Sequence, residues 1–161
     1  VGVYLFDPKI HEAVAAIAMS PFMGTPYIAP FLRAMGCKVG KWCFIDTTLF
    51  TEFDLVEVGD YAALNLGSTM QTHLFEDRVM KSDVLKIGEG CSVGNMSIVL
   101  YSTEMQRGSS LGSLSVLMKG ETLPPMSRWR GIPSEQLGDA PAVTRMVPLD
   151  AATQGKLAAA Q

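Results

Sequence analysis

Apolar residues recur at every sixth position over the second half of this 161-residue chain. The series runs through Ile87, Val93, Val99, Met105, Leu111, Leu117, Leu123 and Trp129. A small residue follows four places after each of the first five, namely Cys91, Ser97, Thr103, Ser109 and Ser115. An amphipathic helix repeats at 3.6 residues and a half-buried strand at two, so neither produces this period. A chain that turns a corner every six residues does, and three such hexads make one triangular coil.

The same register appears upstream, where Val39, Val58 and Leu64 take the apolar position. If the apolar residues stack inward and the small residues fit the corners, each coil hydrogen-bonds to the next. The sequence therefore predicts an all-β solenoid, a parallel β-helix. Several short strands of an ordinary sandwich are the alternative interpretation.

The period sets the predicted domain bounds. We expect the β-helix over residues 39–133. Residues 1–38 are expected to hold a short helix, "PKIHEAVAAIAM", in which His11 faces solvent, followed by a Pro- and Gly-rich lead-in that caps the open end of the coil. Residues 134–161 lose the period and are expected to be a tail.

Two breaks in the period predict outward loops, because extra residues cannot enter the stack. A small slip falls near "TTLFTEFD", between Ile45 and Val58. A larger one lies between Met70 and Ile87 and predicts a loop over residues 71–86. Loops on rigid scaffolds are where binding and catalytic residues concentrate. The larger loop holds one of the two histidines, His73.

Composition excludes several classes of function. The formal net charge of −3 gives no basic surplus for nucleic acid. The longest helical apolar run, "AVAAIAM", is far shorter than the roughly 20 residues that cross a bilayer. Three cysteines without a CxxC pair indicate reduced thiols, no structural zinc and a cytoplasmic location. The chain begins with Val, which suggests a domain whose partners lie outside this sequence.

The runs "QTHLFEDRVMK", "SIVLYSTE" and "RWRGIPSE", within residues 21–135, resemble a known family. They are similar to the acetyltransferase-like carboxyl-terminal domains of peptide synthetases of the ε-poly-lysine synthetase type, which are non-ribosomal peptide synthetase-like proteins of the hexapeptide-repeat acyltransferase superfamily. The order of the loop histidine, the "IG" repeats, a lysine and "GIP" also looks like the maltose and galactoside O-acetyltransferases. The resemblance implies a left-handed coil, acyl transfer from a thioester, and assembly as a homotrimer or as tandem copies in a pseudo-trimer. It also implies adenylation and carrier domains as partners, with attachment to the inner membrane face only through segments outside this chain.

The chemistry of acyl transfer points to His73 as the catalytic base. Attack on a thioester by an amine or hydroxyl needs an accessible base that is neutral near pH 7, and a histidine, with an ordinary pKa of about 6.5, suits that task. The sequence lacks the Gly-x-Ser-x-Gly and Ser-x-x-Lys patterns of covalent nucleophiles. The alternative is that His73 is a polar residue that only pins its own loop.

Other site residues are predicted mainly through the resemblance. Those expected on the acceptor side, or orienting the imidazole, are Asn65, Gln71, Thr72, Glu76 and Asp77. Those expected to contact the donor are Arg78, Asn95, Ser113 and Lys119. The charged members could equally be solvated surface groups.

The segment after Pro133 departs from the O-acetyltransferases, which place basic residues there to grip the nucleotide phosphates of coenzyme A. Here the acidic residues Glu135 and Asp139 follow. We therefore predict a phosphopantetheine thioester on a carrier protein as donor and an amine as acceptor, so that the product is an amide or peptide bond. Transfer from acetyl-CoA is the second hypothesis and a non-catalytic scaffold the third. A metal enzyme of the γ-carbonic anhydrase kind needs three histidines, and the chain has two, so we predict no metal.

Overall fold

A computed structural model of the chain describes residues 19–140. The predicted amino-terminal helix, apart from Met19, and the predicted tail beyond residue 140 lie outside the described residues.

Three sheets form the body of the protein, and up to β16 their strands are parallel and the chain visits them in rotation. Sheet A contains β1 (Lys38–Val39), β4 (Val56–Val58), β9 (Leu85–Ile87), β12 (Thr103–Met105) and β15 (Thr122–Leu123). Sheet B contains β2 (Phe44–Ile45), β5 (Ala63–Leu64), β10 (Ser92–Val93), β13 (Ser110–Leu111), β16 (Ser127–Arg130) and β17 (Glu135–Asp139). Sheet C contains β3 (Leu49–Phe50), β6 (Thr69–Gln71), β11 (Ile98–Leu100) and β14 (Val116–Leu117). This rotation of short parallel strands fits the predicted β-helix fold.

The six-residue repeat sets the register between coils. In the regular part each strand pairs with the one a full coil later, as in Ser92 with Ser110 and Ile98 with Val116. One such coil advances the chain by 18 residues, which is three hexads. The coil that follows β6 is longer, because Thr69 pairs directly with Ile98 and the segment between them must leave the stack.

The predicted inward positions form the core. The apolar repeat residues from Ile87 to Leu123 are each at most 2% exposed, and Trp129 packs partly buried against them. The small corner residues are buried as well, with Ser97, Ser109 and Ser115 at 0%. Both parts of the repeat are thus confirmed.

Two glycines explain how tightly the coils stack. A Cβ on Gly94 would lie 2.4 Å from the backbone nitrogen of Ser113 in the next coil. A Cβ on Gly59 would lie 2.6 Å from the backbone nitrogen of Glu89. Real Cβ atoms do not approach so closely, so these positions need glycine for space.

The amino-terminal lead-in covers the first coil. A short 3₁₀ helix spans Ser20–Phe22, and the helix α1 spans Ile28–Ala34. Ile28 and Leu32 of α1 are fully buried in the common core. A second 3₁₀ helix, Phe53–Leu55, lies between β3 and β4, where the smaller break in the period falls.

The predicted tail from residue 134 is corrected by the structure over its first residues. Glu135–Asp139 form β17, which pairs antiparallel with β16. Gly131 and Gly138 have positive φ and allow the chain to reverse and bend there. All five residues of β17 are exposed, so the strand carries no burial pattern that the sequence could reveal.

Candidate functional site

The longer coil ends in a β-hairpin that projects from the turn between sheets C and A. Its strands are β7 (His73–Glu76) and β8 (Val79–Ser82), joined by Asp77 and Arg78, which both have positive φ as a two-residue hairpin turn requires. The backbone N–H of Asp83 donates to the Thr72 carbonyl at 3.1 Å and closes the base of the hairpin. We call the stacked turns between sheets C and A the C–A corner; it comprises residues 51–55, 72–84, 101–102 and 118–121.

His73 is the first residue of the hairpin and lies beside a carboxylate from the preceding coil. Its Nδ1 is 2.7 Å from Oε1 of Glu52, and about a quarter of the side chain is exposed. The distance is that of an ion pair, although the angle at Nδ1 is not that of a well-directed hydrogen bond. The ring of Phe75, which is 73% exposed, meets the imidazole edge-on with centroids 5.6 Å apart. The corner therefore presents a base, its carboxylate partner and an exposed apolar surface together.

The hydroxyl groups of Thr72, which is fully buried, and of Thr51 hold Glu52. The Thr72 hydroxyl donates to Oε2 of Glu52 and lies 2.7 Å from the Thr51 hydroxyl. The Thr51 oxygen in turn accepts from the Thr72 backbone N–H at 2.9 Å. Burial alone would raise the pKa of Glu52, but the hydrogen bond from Thr72 and the nearby imidazole of His73 outweigh it and leave the pKa below its ordinary value. Glu52 is therefore a carboxylate at neutral pH.

Glu76 contacts lysines instead of the imidazole. One carboxylate oxygen is paired with Lys119 in the lower part of the C–A corner, and the other lies 3.0 Å from Nζ of Lys81 on the partner strand. Hydrogen bonds from Lys119 and then Lys81 lower the pKa of Glu76, and the same contact with Glu76 raises the pKa of Lys119. Glu76 thus ties the hairpin to the coil. Among the described residues the carboxylate against His73 is that of Glu52.

The remaining predicted residues divide between two corners. Asp77 and Arg78 stand exposed at the hairpin tip, and Gln71 is half-buried at the end of β6. Asn65, Asn95 and Ser113 are stacked in the turns between sheets B and C, at the opposite ends of the sheet C strands. We call these turns, residues 65–68, 94–97 and 112–115, the B–C corner.

Hydrogen bonds fix two of the B–C corner residues to neighbouring coils. Asn65 Nδ2 donates to the Val93 carbonyl at 2.7 Å, and the Ser113 hydroxyl accepts from the Asn95 backbone N–H at 3.2 Å. One chain therefore brings His73, Thr72, Glu76 and Lys119 together but keeps Asn65, Asn95 and Ser113 apart from them.

Glu52 is the residue that sequence reasoning missed. It lies within "TTLFTEFD", whose break in the period was visible but received no role. The sequence does contain a signal for it, because the smaller break in the period lies one coil before the larger break. Extra residues at the same corner of successive coils must meet outside the stack.

A groove with a volume of about 800 Å³ lies elsewhere, over the outer face of sheet A. Its floor is a ladder of alternating charge in which Lys38, Glu57, Lys86 and Glu104 occupy successive strands. We place the candidate site at the C–A corner instead, because a base with an oriented partner is chemically competent and a solvated charge ladder is not.

Within residues 19–140, no three His, Cys, Asp or Glu side chains converge as a metal site would require. None of the described helices is both long and apolar enough to cross a membrane. Cys37, Cys43 and Cys91 are free thiols, as predicted.

Comparison with known proteins gives a curated relative at high significance. It is the delta-poly-L-ornithine synthetase of Acinetobacter baumannii, 41% identical over 127 residues. The match covers 78% of this chain and 10% of the synthetase, so the chain spans about a tenth of that relative's length. No family model matches the sequence.

Solved structures of similar shape are acetyltransferases. A hexapeptide-repeat-containing acetyltransferase from Vibrio cholerae, solved with acetyl coenzyme A, has a TM-score of 0.63 at 10% identity and covers 83% of this chain and 87% of its own. A galactoside acetyltransferase solved with coenzyme A has a TM-score of 0.60 at 13% identity and covers 86% of each chain. These structures establish the fold. Together with the synthetase relative, they fit an enzyme of the hexapeptide-repeat acyltransferase type.

Proposed function

We propose that this chain transfers an acyl or aminoacyl group from a pantetheine thioester to an amine, with His73 as general base. The single observation that carries the proposal is the placement of His73. It is partly exposed at the base of a hairpin that projects from the β-helix, and its Nδ1 lies 2.7 Å from a carboxylate oxygen of Glu52. A base so held has one ring nitrogen left for substrate.

The reaction needs such a base because amines are poor nucleophiles at neutral pH. An α-amine with an ordinary pKa near 8, or a side-chain amine near 10.4, is largely protonated at pH 7. The ammonium form first releases a proton to solvent, and His73 then accepts a proton from the neutral amine nitrogen as the new N–C bond forms at the thioester carbonyl. The C–S bond then breaks, and the proton passes from the imidazole to the departing thiolate. Backbone N–H groups of the coil would stabilise the oxyanion.

A carrier-bound donor is favoured by the end of the coil. The strand after Pro133 exposes Glu135 and Asp139, which repel the nucleotide phosphates of coenzyme A. A carrier presents only the pantetheine arm and a single phosphate. The 41% identical relative is named as a poly-ornithine synthetase, which supports an aminoacyl donor and a diamino acid acceptor. Adenylation and carrier domains as partners rest on the resemblance of the quoted motifs. The finer assignment, to the ε-poly-lysine synthetase type, rests on the resemblance of the quoted motifs.

Acetyl-CoA-dependent transfer is the second candidate, and two observations favour it. The neighbours quoted above were solved with acetyl coenzyme A or coenzyme A. Arg128 and Arg130 are exposed on the last full strand and would suit phosphate groups. A non-catalytic scaffold is the third, and it predicts that His73 is dispensable.

We also propose a left-handed coil and a three-fold assembly, either of separate chains or of tandem copies. The B–C corner supports this, since Leu66, Met96, Leu114 and Ile132 each expose more than half of their surface there or in the coil below. Asn95 and Ser113 lie at that corner and His73 at the other. If the B–C corner of one copy packs against the C–A corner of its neighbour, Asn95 and Ser113 of the first copy lie near His73 of the second. One site would then be built from two copies.

Replacement of His73 tests the proposed role. His73→Ala should reduce amide formation by a factor on the order of 10²–10⁴ while the β-rich circular dichroism spectrum stays unchanged. Glu104→Ala, on the outer face of sheet A, is the control and should keep full activity. Unchanged turnover in His73→Ala would leave the scaffold as the better interpretation.

A further inference from the structure

We propose that Glu52 is a positioning residue that fixes the tautomer of His73, with the Thr51 and Thr72 hydroxyl groups fixing Glu52 in turn. The inference rests on the proposed function and adds residues that no sequence motif marked for this purpose. It concerns a contact between two coils, since Glu52 follows β3 and His73 follows β6, which pairs with β3.

The distance between the two partners requires a proton on Nδ1. Two unprotonated acceptors 2.7 Å apart would repel each other, so one must carry hydrogen. Burial raises the pKa of Glu52, but the Thr72 hydroxyl, the adjacent imidazole and the Thr51 hydroxyl lower it below its ordinary value, so the proton is not on the carboxylate near neutral pH. It therefore lies on Nδ1, and the lone pair of the neutral ring is on Nε2.

The hydroxyl contacts agree with an ionised Glu52. The Thr72 hydroxyl has one hydrogen, which it donates to Oε2 of Glu52. Its oxygen accepts from the Glu52 backbone N–H at 3.2 Å and lies 2.7 Å from the Thr51 hydroxyl, which is also 3.3 Å from the Met70 carbonyl oxygen. The carboxylate thus accepts at one oxygen from Thr72 and has the other oxygen free for Nδ1–H.

Burial assigns these groups to positioning and not to substrate contact. Thr72 is completely buried, and the Glu52 side chain is 19% exposed. An acceptor amine can therefore reach His73 but not Thr72. The predicted orienting role of Thr72 is the one that this geometry supports, and it acts through Glu52.

The direct test is the tautomer of His73, read from ¹⁵N chemical shifts of the imidazole in the full chain at about pH 8.5, roughly two units above the ordinary histidine pKa of ~6.5. The chain has two histidines, so His11→Gln assigns the two signals. We expect His73 to be a single Nδ1–H tautomer in the wild type and a mixture in Glu52→Leu. In Thr72→Val the fraction of the Nδ1–H tautomer should fall between these two cases. Thr72→Ser keeps the hydroxyl and Glu52→Asp keeps the carboxylate, so both should retain the Nδ1–H tautomer. Glu104→Gln, on the outer face of sheet A, is the control for charge alone.

Kinetics on the same variants complete the test, with an aminoacyl-loaded carrier protein and acetyl-CoA as donors. Glu52→Leu should lower kcat by a factor on the order of 10²–10⁴ and leave KM within about threefold, because the base is present but wrongly protonated. Glu52→Asp should recover at least part of the loss. An unchanged tautomer and unchanged kcat in Glu52→Leu, together with an inactive His73→Ala, would overturn the positioning role and leave the proposed function standing. An active His73→Ala would overturn the proposed function itself.

Discussion

Glu52 and His73 are distant in sequence and meet because the coils stack in register. Thr69 and Met70 of β6 pair with Leu49 and Phe50 of β3, so the residues that follow each strand emerge at the same corner. Neither residue could reach the other if the strands slipped by one position. The chemistry of the site thus depends on the fidelity of the six-residue repeat.

The ionised state of Glu52 links this contact to stability in acid. Its pKa is lowered on folding, so its contribution is complete above the ordinary carboxyl pKa of about 4.3 and is lost as the pH falls through the lower folded value. Glu52→Gln should therefore be less stable than the wild type at pH 7, and the gap should narrow at about pH 3. Urea unfolding at both pH values measures this. A constant difference would show that the charge of Glu52 contributes nothing.

The placement of His73 and Thr72 where the chain leaves the stack could be predicted from sequence alone, because the break in the period falls there and a motif contains both residues. Glu52 could not, since a lone glutamate in a small irregularity looks like solvated charge. Its partner becomes visible only when the coil length aligns residue 52 with residue 72. The division of Asn65, Asn95 and Ser113 from His73 was equally hidden, because spacing in sequence does not say which corner of the coil a residue occupies.

The stacked coils make a specific demand on their glycines. Gly94→Ala would push a methyl group against the backbone nitrogen of Ser113, so we expect a loss of about 1–3 kcal/mol in the free energy of unfolding. Gly120 has a positive φ of 76°, but a Cβ there would meet nothing within 4 Å, so Gly120→Asn serves as the control and should cost less. Chemical denaturation gives both values. Equal losses would mean that backbone conformation, and not coil spacing, sets the cost at these sites.

The hairpin is a separate element whose attachment depends on Glu76. Lys119→Met removes the ion pair between Glu76 and the coil, whereas Lys81→Met removes only the ion pair within the hairpin. Exposed ion pairs are weak, so we expect hydrogen exchange of the amides in 73–82 to rise by roughly two- to fivefold in Lys119→Met. Lys81→Met should change it less, and 1 M salt should reduce the difference between the variants. If both lysine variants behave alike, Glu76 does not anchor the hairpin.

The repeat predicted the coil well because burial imposes its period on every inward position. It predicted neither the hairpin strands nor β17, for a shared reason. Val79–Ser82 and Glu135–Asp139 are exposed along their whole length, so no alternation of apolar and polar residues marks them as strands. Their backbone pairing, and not their side chains, defines them.

Over the molecule as a whole, charged and apolar side chains are distributed unevenly on the surface. Sheet A carries the ladder of Lys38, Glu57, Lys86 and Glu104, with Lys38 2.6 Å from Glu57. Exposed apolar side chains lie at the corners instead, among them Leu66, Met96 and Leu114 at the B–C corner. The charged face of sheet A suits contact with water, whereas the apolar residues of the B–C corner suit burial in an assembly.

Sedimentation tests that assembly. We expect a trimer of the isolated chain and its dissociation in Met96→Lys/Leu114→Lys, because burying two ammonium groups at an apolar contact is costly. Glu57→Lys/Glu104→Lys, on sheet A, should leave the sedimentation coefficient unchanged. A wild-type monomer would favour tandem copies within one longer chain, and dissociation caused by the sheet A variant would place the interface elsewhere.

The most direct test of the central claim compares donors with a single amine acceptor, ornithine. Mass spectrometry of the product gives the rate of amide formation from an aminoacyl-loaded carrier protein and from acetyl-CoA, with wild-type chain and with His73→Ala. We predict that the loaded carrier is preferred in kcat/KM and that His73→Ala loses a factor on the order of 10²–10⁴ with it. Rapid turnover of acetyl-CoA without turnover of the loaded carrier would contradict the peptide-bond-forming assignment.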